Sequence, residues 1–182
     1  MIAFDLKPYA ATCGVFVETG TGHCCGIKAA LRAGFDRVWS CDVDEELVQA
    51  AWDKFADDPR VVVQLCDSVE FVDCAAHLLR GERVFWWLDA HVDHGPVRGR
   101  DKCPLLREIA AIRAAGRTRD VIAVDDRRLF RDNETRDNPD GWGQGVTEAA
   151  VLAALRRVNF EYRIACVDGY VPRDVIIAEV EG

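Results

Sequence analysis

Five runs of strand length each close on a carboxylate or stand next to one. Val15 to Val17 leads into Glu18, and Asp36 to Cys41 ends at Asp42. Val61 to Cys66 is followed by Asp67, Val84 to Leu88 ends at Asp89, and Val121 to Val124 ends at Asp125-Asp126. A single acid after a strand is ordinarily a turn former or a helix cap. A whole set on parallel strands is different, because every member falls on one edge of the sheet. The first acid opens the segment Glu18-Thr-Gly-Thr-Gly-His-Cys-Cys-Gly26. Gly20 and Gly22 can take positive φ and let a ligand lie against bare backbone. The N-terminus of the following helix offers free N–H groups to an anion. Asp42 comes 20 residues after Gly22. At that distance an acid at the tip of the neighbouring strand accepts hydrogen bonds from ribose hydroxyls. The glycines read G-x-G-x-x-x-G, off register from the dinucleotide fingerprint G-x-G-x-x-G. A nicotinamide-dependent enzyme therefore rests on the turn and Asp42 alone.

These acids need strands to carry them, and the pattern supplies strands alternating with helices. A helix opens near Cys24 with Ile27, Ala30 and Leu31 on one face, and Gly34 caps it. Asp44-Glu-Glu starts a second helix with acids in its first turn, which suits the macrodipole, and Asp57-Asp-Pro59 stops it. Ser68 is the expected N-cap of a helix reaching about Leu79. Pro104 to Ala115 and Thr147 to Val158 complete the helices. Val84-Phe-Trp-Trp-Leu88 is apolar throughout, as for a central strand covered on both faces, with Trp86 and Trp87 pointing to opposite sides. Tyr162 to Val167 and Asp174 to Val180 read as a closing antiparallel pair, with a hairpin turn over Asp168 to Pro172. The expectation is an α/β fold over residues 1–182 as one domain: a doubly wound, mostly parallel seven-strand sheet with right-handed crossovers. Arg127 to about Gly145 is the longest irregular stretch, a length that in compact domains often marks a lid.

Composition narrows the partners. The net charge is −8 and the pI about 5.0. That balance argues against a nucleic-acid backbone or an anionic membrane surface as the main partner. No run has the length of a membrane span. The first residues lack the basic-then-apolar order of an export signal. Eight cysteines include no C-x-x-C pair, and Cys41, Cys66 and Cys166 sit in strand patterns. The expectation is that most are small buried thiols in a reducing cytoplasm, with Cys24-Cys25 packed into a tight turn. A homodimer suits a chain of this size, although no apolar surface stripe marks one.

At Phe16-Val-Glu-Thr-Gly-Thr-Gly22, the Asp42 strand end, Cys66-Asp-Ser68 and Phe85-Trp-Trp-Leu-Asp-Ala-His91, the chain resembles class I S-adenosylmethionine-dependent methyltransferases. The resemblance covers about residues 14–130. It implies that Glu18, Thr19 and the Gly20–Gly22 turn hold the amino-acid end of S-adenosylmethionine. It further implies that Asp42, beside Val43, takes the ribose hydroxyls, that Asp67 and Ser68 flank the adenine, and that Asp89 stands near the sulfonium. Asp89 with Asp125 and Asp126 is similar to the metal-ligand arrangement of cation-dependent O-methyltransferases of the catechol and macrolide-sugar types. Three oxygen ligands on adjacent strand tips suit Mg²⁺. The cation would lower the pKa of a bound hydroxyl of a small-molecule acceptor and orient it. His91, with His94 second, is the candidate base; either could instead ligate a softer metal such as Zn²⁺. About 13 residues precede the first strand, where related O-methyltransferases usually carry N-terminal helices. The expectation is that loops 92–103 and 127–145, including Trp142, or a partner subunit help to shape the acceptor site. A metal-independent methyltransferase and a non-catalytic cofactor-binding module are the remaining alternatives.

Overall fold

A computed structural model describes residues 2–91, 99–130 and 145–180. His94, Trp142 and most of the two expected acceptor loops lie outside the described residues. A short helix, α1 (Lys7–Ala10), falls in the stretch read as a plain lead-in. Pro8 at its start supplies the fixed φ of a first helical turn. The alternation then follows as β1 (Val15–Thr19), α2 (Cys25–Ala33), β2 (Arg37–Asp42), α3 (Glu45–Phe55), β3 (Val61–Leu65), α4 (Ser68–Leu78), β4 (Val84–Leu88), α5 (Leu105–Ala114) and β5 (Val121–Val124). A 3-10 turn (Arg127–Leu129), α6 (Glu148–Val158), β6 (Arg163–Val167) and β7 (Val175–Glu179) follow.

One seven-stranded sheet forms in the order β3-β2-β1-β4-β5-β7-β6. The pairs among β1 to β5 are parallel, whereas β7 runs antiparallel to both β5 and β6. The chain therefore winds outward in two directions from β1 and β4, and a crevice opens beyond their carboxyl ends. Alternate side chains of the central strands feed two cores. Val15, Val17, Trp86, Leu88 and Ile122 pack with the apolar faces of α4, α5 and α6. Phe16, Phe85, Trp87 and Ala123 pack with those of α2 and α3. Tyr9 of α1 joins the second core with its ring 5.0 Å from that of Phe85.

Two local expectations change. Asp67, not Ser68, caps α4: its Oδ1 accepts the Val69 N–H at 3.0 Å, and Ser68 is the first helical residue. Asp67 has the extended backbone of a cap (φ −63°, ψ 137°) and an oxygen that reaches two residues ahead. The thiols are also less uniform than expected. Cys13, Cys24, Cys41 and Cys103 are buried, Cys66 and Cys166 are half-buried, and Cys25 and Cys74 are exposed. The other caps follow the sequence: Asp44 accepts from Glu46 N–H, Thr147 from Ala150 N–H, and Gly34 ends α2 in the left-handed region.

Candidate active site

Strand register decides which acids meet. Thr19 is level with Leu88, and Leu88 with Val124, so Gly20, Asp89 and Asp125 leave the sheet side by side. Because β7 is antiparallel, its beginning, preceded by Asp174, lies on this same edge. A cleft of about 850 Å³ runs along the edge, within the range of small-molecule sites. Gly20, Gly22, Asp42, Val43, Leu47, Asp67 and Ser68 line one part of it. Asp89, His91, Asp125, Asp126, Arg128 and Tyr170 line another.

The glycine turn is built tightly against β4. Gly20 has φ +83°, and a Cβ there would stand 2.5 Å from the backbone oxygen of Asp89. Glu18 is buried beneath the turn and is not among the cleft-lining residues. Its Oε2 accepts a 2.7 Å hydrogen bond from Ser40, whose hydroxyl is 2.7 Å from that of Thr21. Gly26 makes the room: a Cβ there would lie 1.7 Å from Glu18 Oε1. Burial pushes the Glu18 carboxyl well above the ordinary glutamate range, against the lowering effect of Ser40 and with a further rise from Asp89 and Asp42. Asp42 is fixed by two backbone donors, Gly22 N–H at 3.0 Å on Oδ2 and Asp44 N–H at 3.0 Å on Oδ1. A carboxylate has about four acceptor positions, so it keeps capacity for further donors. Val43 beside it is exposed although apolar.

At the other end the groups are coupled. Trp87 Nε1–H donates to Asp89 Oδ2 at 3.2 Å, and the Asp89 N–H donates to Thr19 Oγ1 at 3.2 Å. His91 lies between two carboxylates, with Nε2 2.6 Å from Asp126 Oδ2 and Nδ1 3.6 Å from Asp89 Oδ1. Its side chain is 7% exposed, against 27% for Asp89, so Asp89 is the more open of the two. Burial raises Asp89 to about 7, opposed by His91 and reinforced by Asp125 and Asp126. Burial and the Asp126 charge raise Asp125 to about 6. Burial acts the same way on Asp126, yet its His91 and Arg128 partners hold it below the ordinary aspartate value. Asp126 also has a left-handed backbone, φ +56°, a conformation that costs a non-glycine residue about 1 kcal/mol or more.

The expected metal ligands Asp89, Asp125 and Asp126 do not form one close group. Asp126 instead belongs to two, one with Asp89 and His91 and one with Asp125 and Asp174, each with ligand atoms within 4.8 Å of one another. The donor set suits a hard cation: four carboxylates stand against the basic side chains of His91 and Arg128, and two of the four are pushed up in pKa by burial and by neighbouring carboxylates.

Four contributors are absent from the sequence reading. Asp174 starts a strand rather than ending one, and only the antiparallel direction of β7 brings it to the edge. Arg128 donates to both Asp126 and Asp174 through Nη1. Tyr170 comes from the turn between β6 and β7, with its ring 5.1 Å from the Arg128 guanidinium carbon. Glu108 interrupts the buried stripe Leu105, Ile109, Ile112 of α5, which is the one signal that was available. Its Oε1 has no hydrogen-bond partner among the described residues. It borders a void of about 10 Å³ shared with His91 and Asp125, and burial raises it to about 7 against the pull of Ser68 and Thr19.

No protein-family model and no curated protein matches this sequence. Solved structures do. The O-methyltransferase from Bacillus cereus, in complex with SAH, aligns with TM-score 0.62 and 15% identity over 97% of this chain and 77% of that one. MycE, a methyltransferase of the mycinamycin biosynthetic pathway in complex with Mg, SAH and mycinamycin VI, aligns with TM-score 0.61 and 14% identity over 97% of this chain and 46% of that one. The fold is that of the class I S-adenosylmethionine-dependent methyltransferases. Spermidine synthase from Thermotoga maritima shares it, with TM-score 0.60 and 16% identity over 98% of this chain and 57% of that one. The methyltransferase fold therefore bounds the chemistry without choosing the reaction, which must be argued from the site.

Proposed function

We propose that this chain is an S-adenosylmethionine-dependent methyltransferase acting on a hydroxyl group of a small molecule with the help of a divalent cation. The observation that carries the reading is one continuous cleft with a glycine turn and a backbone-anchored Asp42 on one side, and the Asp89–His91–Asp126 cluster on the other. The fold neighbours that hold SAH support the cofactor. In this reading the Gly20–Gly22 backbone receives the amino-acid end of the cofactor, with Glu18 and Thr19 supporting the turn from below. Asp42 accepts from the ribose hydroxyls. Val43 and Leu47, with Asp67 and Ser68, surround the adenine. Asp89 stands at the sulfonium end.

The acceptor oxygen attacks the methyl carbon, the carbon–sulfur bond breaks, and the electron pair leaves with S-adenosylhomocysteine. The hydroxyl proton goes to the Asp89–His91 pair, with Asp126 holding the imidazole in place. With no cation bound, Asp89, which burial raises to about 7, is matched to take that proton at neutral pH. Asp126 would hold Mg²⁺ either with Asp89 or with Asp125 and Asp174, and the ion when bound would lower the pKa of the acceptor hydroxyl. Most of the remaining rate enhancement would come from holding oxygen and methyl in line. The second reading is transfer without a metal, and Arg128 favours it, since this cation already neutralises Asp126 and Asp174.

The test is release of S-adenosylhomocysteine from S-adenosylmethionine with a panel of phenolic and sugar hydroxyl compounds, in Mg²⁺ and in EDTA. The expected result is turnover in Mg²⁺ only, reduced on the order of 100-fold in Asp89→Asn. Undiminished turnover in EDTA would favour the second reading.

A further inference from the structure

We propose that Arg128 is a resident counter-ion of the acidic edge, which a divalent cation must displace, so that this side chain sets the cation affinity of the site. The inference rests on the cation-assisted reading above and names a regulator of that site.

Arg128 lies in the 3-10 turn after β5. Its Nη1 donates to Asp126 Oδ1 and to Asp174 Oδ2, while its own backbone N–H donates to Asp174 Oδ1 at 2.9 Å. Asp126 is the member common to both candidate cation-binding groups, and Asp174 belongs to one of them. A cation in either position therefore competes with the guanidinium for the same carboxylates, and two positive centres there repel each other. The competition is uneven in mobility. The Arg128 side chain is 24% exposed, against 9% for Asp126 and 0% for Asp174. The carboxylates are fixed in the fold, and the guanidinium sits on the open side.

The guanidinium also has a partner besides the acids. The guanidinium carbon is 5.1 Å from the centre of the Tyr170 ring, which is exposed and lines the same cleft. An aromatic face retains a guanidinium by cation–π attraction after its carboxylate contacts are lost. Tyr170 thus offers Arg128 a partner for which a cation on the acids does not compete. Without Arg128, Asp126 and Asp174 are acids with less compensation, and the site gains appetite for an external cation.

The probe is Mn²⁺, titrated by calorimetry into purified wild-type protein, Arg128→Met and Arg128→Lys, with S-adenosylhomocysteine titrated into the same samples. The expected result is Mn²⁺ affinity higher by roughly tenfold or more in Arg128→Met, the scale of changes around a ligand shell. Arg128→Lys should fall between the two, since it keeps the charge and loses the planar fork. Mn²⁺ should also raise the melting temperature of Arg128→Met more than that of the wild type. If Arg128→Met does not fold, the lysine variant decides: affinity at or below wild type overturns the proposal. Equal or weaker Mn²⁺ binding by a folded Arg128→Met overturns it too. Binding of S-adenosylhomocysteine with no Mn²⁺ binding by any of the three chains overturns both the counter-ion role and cation assistance, and leaves the methyltransferase reading standing.

Discussion

Glu108 is fully enclosed beside His91, with one oxygen unmatched among the described residues. Its carboxyl is raised from an ordinary 4.5 to about 7, so the folded chain binds a proton there that the unfolded chain has released. The sign follows directly. The contribution is fully present below about pH 4.5 and is lost as pH rises through about 7, with a size of roughly 3 kcal/mol. Glu108→Gln should remove this slope. We expect its urea midpoint to exceed that of the wild type at pH 8, and the advantage to shrink at pH 5; equal pH profiles would contradict the assignment. A single sequence could expose Asp42, Asp89, Asp125 and Asp126, because strand ends are marked by local pattern. It could not expose Asp174 or Tyr170 as site members. The closing pair and its turn are legible in the sequence, but not that β7 is the strand that pairs with β5 and so brings Asp174 to this edge.

At the scale of elements, the sheet holds its acids in two ways. At the amino end of β4 and β5, Arg117 forms a 2.7 Å ion pair with Asp120 and donates to the carbonyls of Leu79 and Glu82. Trp86 Nε1–H completes the cluster with a 2.7 Å bond to Asp120. Each partner is buried and matched, which marks a structural pair. Arg117→Ala should cost about 3–5 kcal/mol in denaturant unfolding, the usual effect of stranding a buried charge. At the carboxyl end, acids outnumber bases and the turn is pressed against β4. Gly20→Ala forces a Cβ to within 2.5 Å of a backbone oxygen at φ +83°. We expect about 1–3 kcal/mol of destabilisation, accompanied by weaker cofactor binding; a variant with wild-type stability would contradict the close approach. The elements themselves were legible, since apolar runs of strand length alternated with amphipathic stretches. The α4 cap is ambiguous in the sequence because Asp67 and Ser68 are both good capping types and only backbone geometry separates them. Helix α1 escaped notice because four residues carry no periodicity.

At the scale of the molecule, the sheet order turns acids scattered from Glu18 to Asp174 into one edge. The reversal between β1 and β4 sets Asp42 and Asp89 on opposite sides of one glycine turn. The proposed function requires that division of the cleft. The measurement that tests it most directly is calorimetric titration with S-adenosylhomocysteine in Mg²⁺ and in EDTA, with NAD as control, on the wild type and on Asp42→Ala. The account predicts binding of S-adenosylhomocysteine and not of NAD, with affinity reduced roughly 10–100-fold in Asp42→Ala as charge-assisted hydrogen bonds are lost. Absence of binding in both buffers, or equal affinity in the variant, would contradict it.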